Sequence, residues 1–168
     1  MASKAQDVPV AERRAALNEA YLEDWNSHDA QAVGAFFAPG ALYDDRGAAE
    51  VAHGPEAIAA HAERVFAAFP DLQFEIKRIG EGEDFSAGEW RATMTHEGEL
   101  FGLAATGRKI TAEGVDVATF GADDLITHLV SYYDGAAMMR DLGLLPARHS
   151  RAERVGLRLA SLRPRRLR

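Results

Sequence analysis

The chain contains no cysteine. That excludes disulfides, thiolate metal sites, iron–sulfur clusters and cysteine nucleophiles. It also has no apolar run near the ~18–20 residues that a membrane-spanning helix needs. Met1 to Ala11 lack the basic-then-apolar order of a signal peptide, so a cytoplasmic location is expected. Nucleotide signatures are missing too. Gly102 and Gly107 have the spacing of a phosphate loop, but Arg108 and Lys109 follow where Lys and then Ser or Thr are required. No Gly-x-Ser-x-Gly elbow is present. The histidines, at 28, 53, 61, 96, 128 and 149, include no i, i+4 pair of the kind that makes a helical zinc site. No metal or cofactor is expected, and most of these histidines read as surface or structural.

What is present fits one globular domain: 168 residues, 47% hydrophobic and 27% charged. The net charge of −7 is unevenly spread. Residues 147–168 hold eight arginines and one acid, Glu153, leaving residues 1–146 at −14. So acidic a body is a poor nucleic-acid partner, because phosphate contacts need clustered Lys or Arg. In the tail, Val155, Leu159 and Leu162 make one helical stripe. This is either a basic amphipathic segment or a solvated extension. The expected organisation is a disordered N-terminus (1–9), one domain (10–146) and a basic tail (147–168), frayed around Arg163 to Arg166.

The element pattern is helices first, strands later. Val10, Leu17, Tyr21 and Trp25 recur at helical spacing, which predicts a helix from Val10 to Ser27. Asp29 is a suitable N-cap for a second helix through Phe36 and Phe37, stopped by Pro39 and Gly40. Ala41 to Asp45 reads as a strand. Gly54 and Pro55 open a third helix, which Pro70 ends after Phe69. Leu72–Ile79, Phe85–His96, Lys109–Phe120 and Leu125–Tyr133 read as strands. Gly135 to Leu142 reads as a last short helix, ended by Gly143. This order predicts an α+β fold in which a curved, mostly antiparallel sheet wraps around the N-terminal helices.

Several local patterns occur in a telling order. They are Gly54-Pro55-Glu56-Ala57-Ile58, Phe69-Pro70-Asp71-Leu72, Thr95-His96-Glu97-Gly98, Thr106-Gly107-Arg108-Lys109-Ile110, and Asp134 followed by Leu142-Gly143. Together they resemble the SnoaL-like polyketide cyclase family of the nuclear transport factor 2-like superfamily, over about residues 12–146. The resemblance implies a cone-shaped α+β barrel, cofactor-free acid–base chemistry in a deep apolar pocket, and a homodimer. In that family one carboxylate on the last strand moves the proton. Here its place falls on Ser131. The family's pocket histidine falls on Asp116, a pocket glutamine on Gly114 and an asparagine on Tyr43. Asp134, three residues past Ser131, can substitute if the strand bulges.

Tyr21 to Asp29 is similar to the first helix of ketosteroid isomerases of the same superfamily. That similarity implies Tyr21 and a protonated Asp116 as oxyanion donors and Asp45 as general base. A third relative, the limonene epoxide hydrolase type, is echoed by Tyr43, Asp45, Asp116 and Asp134. Its arginine has a possible counterpart only in an inward-facing Arg91.

The chemistry these residues could perform is removal of a proton beside a carbonyl. That needs a carboxylate base and donors for the developing oxyanion. Burial raises a carboxylate's pKa and can make it either a better base or a neutral donor. Alternation places Asp116 on one strand face with Ala112, Gly114, Ala118 and Phe120. Asp45 adjoins Asp44, and the sequence leaves open which of the two points inward. The candidate catalytic residues are therefore Asp45, Asp116, Tyr21 and Asp134. Tyr43, Trp90, His96, Ser131 and Tyr133 are candidate substrate contacts. The expected substrate is a small apolar or polycyclic, polyketide-like carbonyl compound. The alternatives are epoxide hydrolysis and a non-catalytic ligand-binding or dimerisation module.

Overall fold

A computed structural model describes residues 10–100 and 102–161. The expected disordered N-terminus and the frayed stretch around Arg163 to Arg166 lie outside these residues. The elements are α1 (Val10–Ser27), α2 (Ala30–Ala35), β1 (Phe37–Asp45), β2 (Glu50–His53), α3 (Gly54–Ala68), β3 (Gln73–Glu81), β4 (Phe85–Thr95), β5 (Lys109–Phe120), β6 (Ile126–Tyr133), α4 (Gly135–Asp141) and α5 (Arg151–Ser161). No helix among the described residues is long and apolar enough to cross a membrane.

The six strands form one open sheet in the order β2-β1-β6-β5-β4-β3. The β1–β6 pair is parallel and the other pairs are antiparallel. The sheet curves around α1, α2 and α3 in an α+β cone. Its concave side carries the core. Phe66, Phe69, Leu72 and Trp90 are buried in one cluster, and Phe37, Tyr43, Ile58 and Leu129 in a second. Tyr21, on α1, packs against both. The site lies where the two clusters meet.

Local chemistry explains most element boundaries. Asp29 caps α2, its carboxylate accepting from the Ala32 N–H at 2.9 Å. Pro55 occupies the first turn of α3, where its missing N–H is not needed. The motif residues hold the turns together. Phe69 and Leu72 are almost fully buried. Asp71 accepts from the Thr95 hydroxyl at 2.6 Å, pinning the α3–β3 turn to the end of β4.

Two expectations are corrected. The second helix does not run through Phe36 and Phe37; it ends at Ala35, and Phe37 opens β1. Pro39 and Gly40 are not a stop signal. They lie exposed within β1, where the register with β6 shifts between Phe37 and Leu42. A strand irregularity of this kind tolerates a proline that cannot donate to the ladder. β2 was not anticipated. Only Ala52 of its four residues is buried, so it shows no alternation to read.

Candidate functional site

The strand register builds the polar centre. Asp45 on β1 pairs with Ser131 on β6, and Ser131 pairs with Asp116 on β5. The three therefore form one row across adjacent strands on the concave face, at roughly 4.8 Å per strand step. On β4 the next residue in the row is Gly88. Asp45 is the inward member of its pair. Asp44 instead meets Arg46 at 2.6 Å.

Asp116 projects into an apolar cavity of about 70 Å³ that Tyr21, Trp25, Tyr43, Phe74 and Trp90 help to line. The Trp90 indole donates to its Oδ1 at 2.8 Å. Ser131 also hydrogen-bonds to it. Gly114 makes this arrangement possible. A Cβ there would lie 2.4 Å from Trp90 Cζ2 and 2.6 Å from the Tyr132 carbonyl oxygen. Burial pushes the Asp116 carboxyl up to about 6, although the Ser131 and Trp90 hydrogen bonds pull it down. The Tyr21 hydroxyl is buried and has no hydrogen-bond partner among the described residues. Burial, and then the charge of Asp116, push its pKa well up against a weaker opposing pull from the nearby Trp25 side chain, which lies outside good hydrogen-bond geometry, so it stays a neutral donor. Tyr43 is likewise held neutral by burial.

Asp45 lines a second lobe of about 80 Å³ that shares Trp25, Tyr43, Phe74 and Trp90 with the first. Its Oδ1 accepts from the Ala48 N–H at 2.9 Å and its Oδ2 from the Tyr133 hydroxyl at 3.2 Å. Burial, together with Asp45, raises the Tyr133 pKa. His61, from α3, also lines this lobe and is almost fully buried. Sequence reading passed over it as one of several structural histidines. The available signal was its place on the apolar face of α3, three residues after Ile58 and four before Val65. Among the described residues no group of three or more His, Asp or Glu is placed to hold a metal ion.

Two expected site residues, Asp134 and His96, lie away from the cavity, and the condition attached to Arg91 is not met. Asp134 is exposed and caps α4, accepting from the Ala137 N–H at 2.9 Å. β6 ends at Tyr133 without the bulge that would turn Asp134 inward. Asp134→Ala should therefore cost about 1 kcal/mol of stability, the usual loss of an N-cap. Turnover should be unaffected, which chemical denaturation and a rate assay would check together. His96 is fully buried but lies in the loop after β4, where its Nδ1 accepts from the Thr106 N–H at 3.2 Å. It ties that loop together, and burial lowers its pKa. Arg91 does not face Asp116. It follows inward-facing Trp90 on β4 and so points to the opposite face, where it meets Glu113 at 3.3 Å.

A family model, SnoaL-like polyketide cyclase, matches residues 15–142. The chain belongs to the SnoaL-like polyketide cyclase family. Among solved structures, AclR from Streptomyces galilaeus, a proposed hydroxylase, superposes with a TM-score of 0.72 at 25% identity, covering 91% of this chain and 94% of that one. TsrD from Streptomyces laurentii gives 0.71 at 20% identity, over 83% and 100%. IdmH from Streptomyces antibioticus, a proposed polyketide cyclase, gives 0.64 at 24% identity, over 77% and 97%. A protein from Catenulispora acidiphila with a ketosteroid isomerase-like fold gives 0.67 at 18% identity, over 76% and 92%. No curated protein matches the chain.

Proposed function

We propose that this SnoaL-like protein is a cofactor-independent acid–base enzyme of cyclase or isomerase type, acting on a polyketide-like or polycyclic carbonyl compound. One observation carries the reading. A single apolar lobe holds a buried hydroxyl without a partner, Tyr21, and a carboxyl pushed up to about 6, Asp116. Perturbed groups converging in a cavity are the signature of a reactive site. The substrate carbonyl oxygen takes hydrogen bonds from Tyr21 and from the protonated fraction of Asp116, which grows as pH falls toward about 6. Asp45, from the adjoining lobe, removes a proton from the neighbouring carbon. The C–H electron pair moves into the enolate, whose oxygen the two donors stabilise. The enolate carbon is then reprotonated, which is isomerisation, or attacks a second carbonyl, which is ring closure.

Neither lobe exceeds about 80 Å³, whereas ligand pockets typically span roughly 300–1,000 Å³. A polycyclic substrate therefore needs the shared aromatic wall of Trp25 and Phe74 to move on entry. Epoxide hydrolysis is disfavoured because Arg91 faces away from Asp116. A pure binding module gives no reason for the Asp116 shift. The exposed cross-strand pair Val115 and Tyr132, on the outer sheet face, supports the expected homodimer.

The test is Asp45→Asn assayed on a β-polyketone substrate. Loss of a general base costs about 10²–10⁴-fold in turnover. Unchanged turnover would remove Asp45 as the base.

A further inference from the structure

The second lobe contains a chain of polar groups that the step above does not use. His61 Nδ1 lies 3.2 Å from Glu50 Oε2. A carboxylate only accepts, so the ring proton facing Glu50 sits on Nδ1. That leaves the Nε2 lone pair facing Asp45 Oδ2, 3.8 Å away. The separation is longer than a hydrogen bond, as is common between catalytic groups before substrate binds. Glu50 keeps 32% of its side chain exposed and also accepts from Arg64 Nη2 at 3.2 Å. The chain thus runs from the apolar lobe to the surface.

The groups that face His61 are Asp45 on β1, Glu50 on β2, the Tyr43 ring at 5.1 Å and Arg64 on its own helix. Burial lowers the imidazole's affinity for a second proton, while the two carboxylates favour it. At rest the ring is therefore neutral, but it lies between two anions that would hold an imidazolium.

We propose that His61, oriented by Glu50, is the proton store for Asp45. This rests on Asp45 being the base. Once Asp45 has taken the substrate proton, its O–H bond breaks as an Nε2–H bond forms. The product is an imidazolium flanked by the Asp45 and Glu50 carboxylates. Asp45 is then an anion again while the enolate reacts. In the closing step the proton returns through Asp45 to the product, and His61 regains its neutral Nδ1–H form. His61 and Glu50 are positioning residues; neither needs to touch the substrate.

The test uses the full chain without substrate. Long-range ¹H–¹⁵N spectra report the His61 tautomer, and ¹³C spectra report the Asp45 carboxyl, both followed from pH 4 to 9. The expected result is an Nδ1–H tautomer at high pH and an Asp45 signal that moves again as His61 titrates. Glu50→Gln should lower the His61 midpoint by about one pH unit, since an opposite charge within a few ångströms is worth roughly 1–3 units. His61→Gln should leave Asp45 with a single transition. An Nε2–H tautomer in the wild type would overturn the proposal. So would an Asp45 curve in His61→Gln that superimposes on the wild type, or a His61 midpoint unmoved in Glu50→Gln. The Glu50 variant alters a surface-reaching side chain, so it tests the idea even if His61→Gln fails to fold. The base reading fails separately: turnover unchanged in Asp45→Asn would remove it while leaving the shared titration in place.

Discussion

Asp116→Asn should make the protein more stable at neutral pH and less active. The folded-state carboxyl titrates at about 6, raised from 3.8 by burial. Below pH 3.8 the folded and unfolded chains both carry the proton. Between 3.8 and about 6 only the folded chain does. Stability therefore falls as pH rises through this window, and above it the full cost of a buried carboxylate remains. A shift of about two units corresponds to about 3 kcal/mol at pH 7. Asparagine is nearly isosteric, is never charged, and can still accept from the Trp90 indole. Urea denaturation from pH 4 to 8 should show the wild-type curve falling by about that amount relative to the variant. Parallel curves would mean that the carboxyl titrates normally and is not an apolar-cavity group. Turnover should fall only modestly, about ten-fold, because the amide still donates, whereas removing an oxyanion donor outright costs about 10²–10³-fold. A much larger loss would make Asp116 the proton acceptor instead of a donor.

The same residue shows how much of the site was legible in the sequence. Alternation within β5 placed Asp116 among Gly114, Ala118 and Phe120, and that face is the concave one. Tyr21 was legible from the helical stripe of α1. The strand row joining Asp45, Ser131 and Asp116 was not, because it depends on the parallel β1–β6 pairing, which no local pattern encodes. His61 was missed because a histidine on an apolar helix face is ordinarily just core. Its meaning comes from Glu50, eleven residues earlier, on a four-residue strand with a single buried position. Asp134 failed for the opposite reason. An Asp before a short helix is a local signal for a cap, and here the local signal outweighs the superfamily analogy. His96 and Asp71 show that family wording often records turn construction. Asp71 pins its turn to the end of β4, and His96 uses its Nδ1 to hold the loop after that strand.

Tyr21→Phe separates a reactive hydroxyl from a structural one, because the two readings predict opposite signs. A core tyrosine whose hydroxyl is satisfied loses stability when the oxygen is removed. Here the hydroxyl is buried without a partner among the described residues, and an unpaired buried donor costs about 1–3 kcal/mol. The ring is already well held, edge-on to Phe36 at 5.3 Å and to Trp25 at 6.3 Å, and phenylalanine keeps those contacts. The variant should therefore be more stable, by about 1 kcal/mol on that scale. It should also turn over substrate about 10²–10³-fold more slowly, the usual loss of one oxyanion donor. Affinity for a naphthol, whose phenolate oxygen stands in for the enolate oxygen, should fall as well, which gives a readout that needs no knowledge of the natural substrate. A destabilised Tyr21→Phe with unchanged naphthol binding would return Tyr21 to the core and leave Asp116 without Tyr21 as a second donor to the substrate oxygen. The expected gain in stability with loss of function is what an active site implies when it leaves a buried donor unpaired for a substrate oxygen.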